Sequence, residues 1–319
     1  MFNVFNITQE IRTVLSEYLQ YNNTQMNFAG IDENGLGPLM GPLIITGVCA
    51  KGKEENFSWF PDIEDSKTFF NGRNEKNYKK IEEISLSLFL SVYNYLPKNP
   101  LSVITAVSDI KCETKKNFCL EEIPFSFLWA DLSKVEEKAD EIKNWMKEKN
   151  FFITDIKCKI FCPFQINKFF EKNYSKSFVD FIGFSEIIEK FKKEKIKIYA
   201  GKIGGMKNYF PFLKYKFPDW DIYKIQETEK CSLYKLKQKN YSIQIGFYLD
   251  VEKVSFLASF SSIFGKYIRE IFIHGINKKL GTKEVISGYR DKKTSLFISR
   301  NIFLLKSINI PEMCILRKK

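Results

Sequence analysis

Asp32 and Glu33 stand side by side in "GIDENGLGPLMGPLIITG", just ahead of Gly35, Gly37 and Gly41. Carboxylates hold cations or move protons, whereas glycines let a backbone turn sharply or approach another group closely. The exposed N–H groups of such turns also make good phosphate cradles. An acid site beside an anion site conflicts unless a divalent cation lies between carboxylate and phosphate, which is the arrangement of metal-dependent phosphodiester hydrolysis. Taken alone, the stretch reads as a surface β-turn with Asn34-Gly35 at its corner, which needs no function. A second acidic element changes that balance. Asp250 and Glu252 precede a helical pattern in which Ser255, Ala258, Ser259, Ser262 and Gly265 form a stripe of small residues three and four apart. Such a stripe lets a helix press closely on its neighbour and carry the acids at its start toward the strand it covers. Without Asp32 and Glu33, acids at a helix start are ordinary dipole and capping partners. Lys266 and Arg269 of the same helix read as solvated residues, or as phosphate contacts if they face a groove.

Successive strand residues point to opposite faces, so Asp32 and Glu33 aim at one point only if their strand ends there, as the glycines suggest. Residues 28–32 and "LIITGVCA" (43–50) read as strands, as do "LSVITAVS" (101–108), "EKIKIYA" (194–200) and "YSIQIGFYLD" (241–250). Helical spacing marks residues 75–96, ending before Pro97, and 251–276. Ile7, Ile11, Leu15 and Leu19 lie four apart and predict a short helix over residues 1–20. The pattern predicts one α/β domain over 28–319, preceded by an N-terminal helical extension over 1–27, with an insertion around 109–195. No internal repeat or low-complexity linker divides it.

Fifty Lys and Arg against thirty-eight Asp and Glu give a net charge of +12, so a polyanion would be attracted to this surface. Nucleic acid is the first partner to test, although net charge alone does not separate that reading from a Lys-rich habit of the proteome. The seven cysteines are scattered without a paired framework, which fits a reducing cytoplasm. Cys158 and Cys162, in "CKIFC", have no second pair to complete a zinc site and read as buried apolar residues. His274 is the chain's single histidine and reads as structural. No basic n-region leads into an apolar stretch at the start, and no window has the length of a membrane span, so a soluble protein is expected.

With these residues in view, the chain resembles the type 2 ribonucleases H as a divergent member. "GIDENGLGPLMGPL" is similar to the family's opening Asp-Glu, Gly-x-Gly and Gly-Pro, and "DSK" (65–67) resembles its next signature. "ASFSSIFGKYIRE" (258–270) is similar to its Ala/Ser-rich helix with a basic end, Glu252 falls at the family's helix-start acid, and Gly288-Tyr289 resembles the Gly-Tyr that follows. The four blocks keep the family's order over residues 29–289. The resemblance implies a ribonuclease H-like mixed β-sheet flanked by helices, and endonucleolytic cleavage of the RNA strand of RNA–DNA hybrids. It also implies two Mg²⁺ or Mn²⁺ ions, roughly 4 Å apart in such sites. Asp32 and Glu252 would hold metal, and Glu33 would contact metal or water. The turn of Gly35, Leu36 and Gly37 would hold the backbone near a ribose 2′-OH, Ser66 and Lys67 would contact substrate, and Tyr289 would pack on the sugar at the RNA–DNA junction.

The chain also departs from the family. A further acid is expected at the end of a central strand, and "IKIYAGKIGG" has Ala200 before Gly201. Asp250, Glu227 and Glu229 are the candidate replacements. Leu36 stands where the family has a basic or polar residue between its glycines, and no histidine follows the Gly-Tyr. "GKIGGMK" reads either as a phosphate grip or as a tight strand-to-turn connection. Two functions follow: an active metal-dependent ribonuclease H, or a catalytically impaired relative that binds hybrid or structured nucleic acid.

Overall fold

The computed structural model describes residues 26–53, 60, 63, 74–113, 118–282, 286–307 and 311–318. The expected N-terminal helix and the "DSK" segment with Ser66 and Lys67 lie outside the described residues. Seven strands form one sheet in the order β3-β2-β1-β4-β7-β6-β5. They are β1 (Met26–Asn34), β2 (Leu43–Gly52), β3 (Phe152–Phe161), β4 (Lys195–Gly201), β5 (Asp221–Glu227), β6 (Cys231–Gln238) and β7 (Tyr241–Tyr248). The central pairs β1/β4 and β4/β7 are parallel, and the outer pairs are antiparallel. The sheet is therefore mixed, with helices on both faces, as the resemblance implies.

Period-two alternation divides the core. Phe28, Ile44 and Val48 face one layer, which also holds residues of α1 (Glu75–Tyr93), α4 (Leu132–Glu148) and α8 (Phe256–Lys279). Ala29, Ile31, Ile45 and Ile198 face the other, beneath α6 (Lys176–Lys190) and α7 (Phe210–Lys216). Of residues 101–108, expected as a strand, 101–107 instead belong to helix α2 (Pro100–Val107), and only Ser108, its extended C-cap, makes a parallel bridge, to Cys158. Asn99 caps the helix by accepting the Ser102 N–H at 2.9 Å, and Pro100 occupies its first turn. Its buried residues, Pro100, Val103, Ile104 and Val107, follow the helical period, so the cap and the spacing outweigh the β-branched composition. Helix α1 stops at Tyr93, where Asn94 adopts a left-handed conformation (φ 58°).

Within residues 109–195, α3 (Phe118–Glu121), α4, β3, α5 (Pro163–Glu171) and α6 form. Strand β3 pairs with β2 from Leu43–Phe161 to Lys51–Phe152, so this stretch supplies the sheet's edge. Cys158 is buried in β3, and Cys162 is the N-cap residue of α5. Helix α9 (Lys292–Ser307) completes the set. No helix among the described residues is long and apolar enough to cross a membrane.

Candidate active site

Helix α8 runs directly over β1 because small residues allow it. A Cβ on Gly30 would lie 2.1 Å from Ala258 N and 2.2 Å from Leu257 C, so backbone meets backbone there. Ser261 Oγ donates to Gly30 O at 2.8 Å, and Asn34 Nδ2 donates to Ser262 O at 3.1 Å. Gly265 continues the close approach, facing Asn34 and Thr46. The stripe read from sequence is thus the surface on which the helix seats. Glu252, in the short turn Val251–Lys253 before the helix, is buried at the end of β1 and β4.

Strand β1 ends on one side only. It remains paired with β2 out to Asn34, opposite Ile44, whereas its pairing with β4 stops at Ile31, opposite Ala200. Beyond that point its β4 side is open. Asp32 lies at this opening, hydrogen-bonded by the Ser262 side chain, and its pKa is raised to about 7. Burial is the main cause, with repulsion from Glu33 and Glu252 adding to it and the Ser262 bond opposing it. The structure therefore brings Asp32, Glu33 and Glu252 into one electrostatic group.

Glu33 is turned toward the glycines. Its Oε2 accepts the Leu36 N–H at 3.2 Å. Burial raises its pKa, and that bond, Arg317 and Arg269 pull it back. Gly35 needs its glycine: φ is +97°, and a Cβ would lie 2.8 Å from both Arg269 Nε and Pro42 O. Gly37 is exposed, and a Cβ there would meet nothing within 4 Å, so the protein's own packing does not demand a glycine at this position. Leu36 packs inward on Gly204, 3.4 Å from where that residue's Cβ would be.

The Gly-Tyr block docks on this turn. Gly288 O accepts Leu39 N–H at 2.7 Å and Met40 N–H at 3.1 Å. Tyr289 is 43% exposed, and the Arg269 guanidinium lies 4.7 Å from its ring centroid, a cation–π distance that leaves the ring available to solvent. Arg269, read from sequence as solvated or phosphate-contacting, is instead buried, donating to Glu270 Oε1 and Ser287 O at 3.2 Å. The turn and the segment before α9 close over it.

Three residues of this region carried no motif. Ser262 was read as part of a packing stripe only. Arg317 comes from the last described segment and donates through Nε to Gly41 O at 2.8 Å and through Nη1 to Gly35 O at 2.5 Å, tying both ends of the turn. Asp180, on α6, is fully buried, and its pKa is raised well above the usual carboxylate range by burial and then by Glu33 and Asp32. A lone acid on the apolar face of a helix was its one available signal.

The expected strand-end acid has no counterpart. Ala200 points into the apolar layer under α6. The β4 position that faces Asp32 is Gly201, where a Cβ would lie 2.7 Å from Asp32 Oδ1. Glu229 lies in the turn after β5, its carbonyl 2.8 Å from Lys202 Nζ, and Glu227 does not reach this point. Strand β5 is four strand spacings from β1, roughly 19 Å, and Glu227 there accepts the Tyr234 hydroxyl. Asp250 is left-handed (φ 53°) and pairs with Lys253 at 3.3 Å. Lys202 of "GKIGG" spends its ammonium on the carbonyls of Thr228 and Glu229, at 2.6 and 2.8 Å, as a tight connection rather than a phosphate grip.

Among the described residues, no three His, Cys, Asp or Glu side chains converge as a ready-made metal cage. The donor chemistry nevertheless suits a hard divalent cation. The acids are crowded enough to raise Asp32, and both Asp180 oxygens are buried without a hydrogen bond.

No protein-family model matches the chain, and no curated protein matches its sequence. Among solved structures, it is similar to the ribonuclease HII in a complex with PCNA from Archaeoglobus fulgidus (17% identity, 92% of this chain and 97% of that one, TM-score 0.44). It is also similar to ribonuclease H2 from Pyrococcus horikoshii OT3 (16% identity, 91% and 92%, TM-score 0.44). A third similarity is to Bst-RNase HIII in complex with Mn²⁺ (10% identity, 92% and 66%, TM-score 0.43).

Proposed function

We propose that this chain is a divalent-metal-dependent endonuclease that cuts the RNA strand of RNA–DNA hybrids. The observation that carries the reading is that Asp32 and the Val251–Lys253 turn bearing Glu252, far apart in sequence, flank the same point of β4, where a Cβ on Gly201 would lie 2.7 Å from Asp32 Oδ1 and 3.6 Å from Val251 Cγ1. The Gly35–Gly37 turn and Gly288-Tyr289 lie beside them. Bound Mg²⁺ or Mn²⁺ would supply Lewis-acid activation of water and stabilisation of the leaving oxygen. Asp32 and Glu252 would hold it, while Ser262 fixes the Asp32 carboxylate. Glu33, by accepting the Leu36 N–H, sets the turn whose backbone is offered to a ribose 2′-OH. Exposed Gly37 leaves room for the substrate backbone, and Tyr289, braced by Arg269, offers its face to a sugar. The +12 charge favours a polyanionic substrate, with Ser66 and Lys67 as further contacts.

The absence of an acid at Ala200 and Gly201 favours a second reading, a catalytically impaired protein that binds hybrid or structured nucleic acid. One experiment separates the two. The purified protein is incubated with a labelled hybrid, and with a duplex containing a single ribonucleotide, in Mg²⁺ or Mn²⁺. Cleavage that Asp32→Asn abolishes supports the nuclease. Intact substrate in both metals, with salt-sensitive binding retained, refutes it in favour of the binder.

A further inference from the structure

We propose that Asp180 is an additional acidic ligand for the divalent cation at the open end of β1, doing the work of the carboxylate missing from Ala200 and Gly201. This rests on the metal-site reading above and names a residue that no motif assigns to it.

Asp180 is 0% exposed, and neither of its carboxylate oxygens accepts a hydrogen bond among the described residues. Buried polar groups are otherwise almost always partnered, because an unpartnered one forfeits its hydration for nothing. The charges that act on Asp180 are those of Glu33 and Asp32, both acidic. A proton would remove its charge but would leave its second oxygen without a donor. A divalent cation shared with Glu33 and Asp32 would satisfy charge and lone pairs together, and oxygen donors of this kind suit Mg²⁺ or Mn²⁺.

The fold explains how an acid beneath the sheet can act on a group at its edge. One turn before Asp180, Ser177 Oγ donates to Gly204 O at 2.6 Å, holding α6 under the loop that leaves β4. One turn after it, Gly183 packs against Ile45 and Phe161 with no room for a Cβ. Asp180 is thereby fixed below the point where β4 parts from β1. Past the Ile31–Ala200 pair no strand among the described residues pairs with that side of β1, and Gly201 adds no side chain opposite Asp32. Among the described residues these acids do not converge as a ready-made cage.

The test is Mn²⁺ binding to the full chain at pH 7.5, by calorimetry and electron paramagnetic resonance. It uses the wild type, Asp180→Asn and Asp32→Asn, with melting measured in EDTA. The expected result is that D180N binds Mn²⁺ roughly tenfold or more weakly, or binds one ion fewer, while melting in EDTA at or above the wild-type temperature. Wild-type Mn²⁺ binding by D180N, with loss in D32N, overturns the role of Asp180 and leaves the metal site standing. No Mn²⁺ uptake by the wild type overturns both. A D180N protein that melts well below wild type in EDTA also overturns the proposal, because it shows that the carboxylate is held by a partner within the protein.

Discussion

Replacing Asp32 by Asn should stabilise the protein at neutral pH when divalent cations are removed. The folded-state pKa of Asp32 is raised from 3.8 to about 7, first by burial and then by Glu33, with Glu252 contributing. An acid whose folded pKa is raised supports the fold fully below its unfolded pKa. That support is lost as pH rises through about 7. Each pKa unit is worth about 1.4 kcal/mol, giving an upper limit of about 4 kcal/mol. Asp32 keeps contact with solvent at the mouth of the site, and screening there reduces the figure to about 2 kcal/mol. For a chain of this size that is a melting shift of about 3 °C. The assay is thermal or urea unfolding in EDTA from pH 4 to pH 8. D32N and wild type should coincide near pH 4 and diverge as pH rises, with D32N the more stable at pH 8. Mn²⁺ should then stabilise the wild type and leave D32N unchanged. Parallel pH profiles, or a D32N protein less stable than wild type at pH 8, would refute the crowded-carboxylate account of the site.

Gly30→Ala puts a Cβ within 3 Å of three backbone atoms of α8 and should cost about 3 kcal/mol or more in urea unfolding; a wild-type midpoint would show that the helix is not seated on β1 as described. Arg317→Ala removes the guanidinium that ties Gly35 and Gly41 and should cost about 3 kcal/mol and weaken hybrid binding. Arg317→Lys should recover less than half of that stability, because one ammonium cannot span both carbonyls, and full recovery would remove the clamp from the account. Ala200→Asp should fail to raise cleavage and should destabilise by about 3 kcal/mol or more, since it buries a lone charge in the apolar layer under α6; increased Mn²⁺-dependent cutting would place residue 200 at the site after all.

The strands around the site were legible because their evidence is local: β-branched composition in "LIITGVCA", alternation in "YSIQIGFYLD", and a glycine turn after adjacent acids. The small-residue stripe of α8 was legible for the same reason, since a run of Ser, Ala and Gly at helical spacing has few uses besides close packing. Residues 101–107 were misread because β-branched composition pointed to a strand, while the deciding cap, Asn99 on Ser102, rests on hydrogen-bond geometry. The chain order alone determined that two acidic elements existed and that one of them adjoined a turn. Tertiary structure alone decided that β4 lets go of β1 at Ile31, that Gly201 rather than Ala200 faces Asp32, and that Asp180 and Arg317 belong to the same region. Burial and charge crowding are properties of points in space, and residues from distant parts of a chain share such a point only once the sheet and its helices have closed around it.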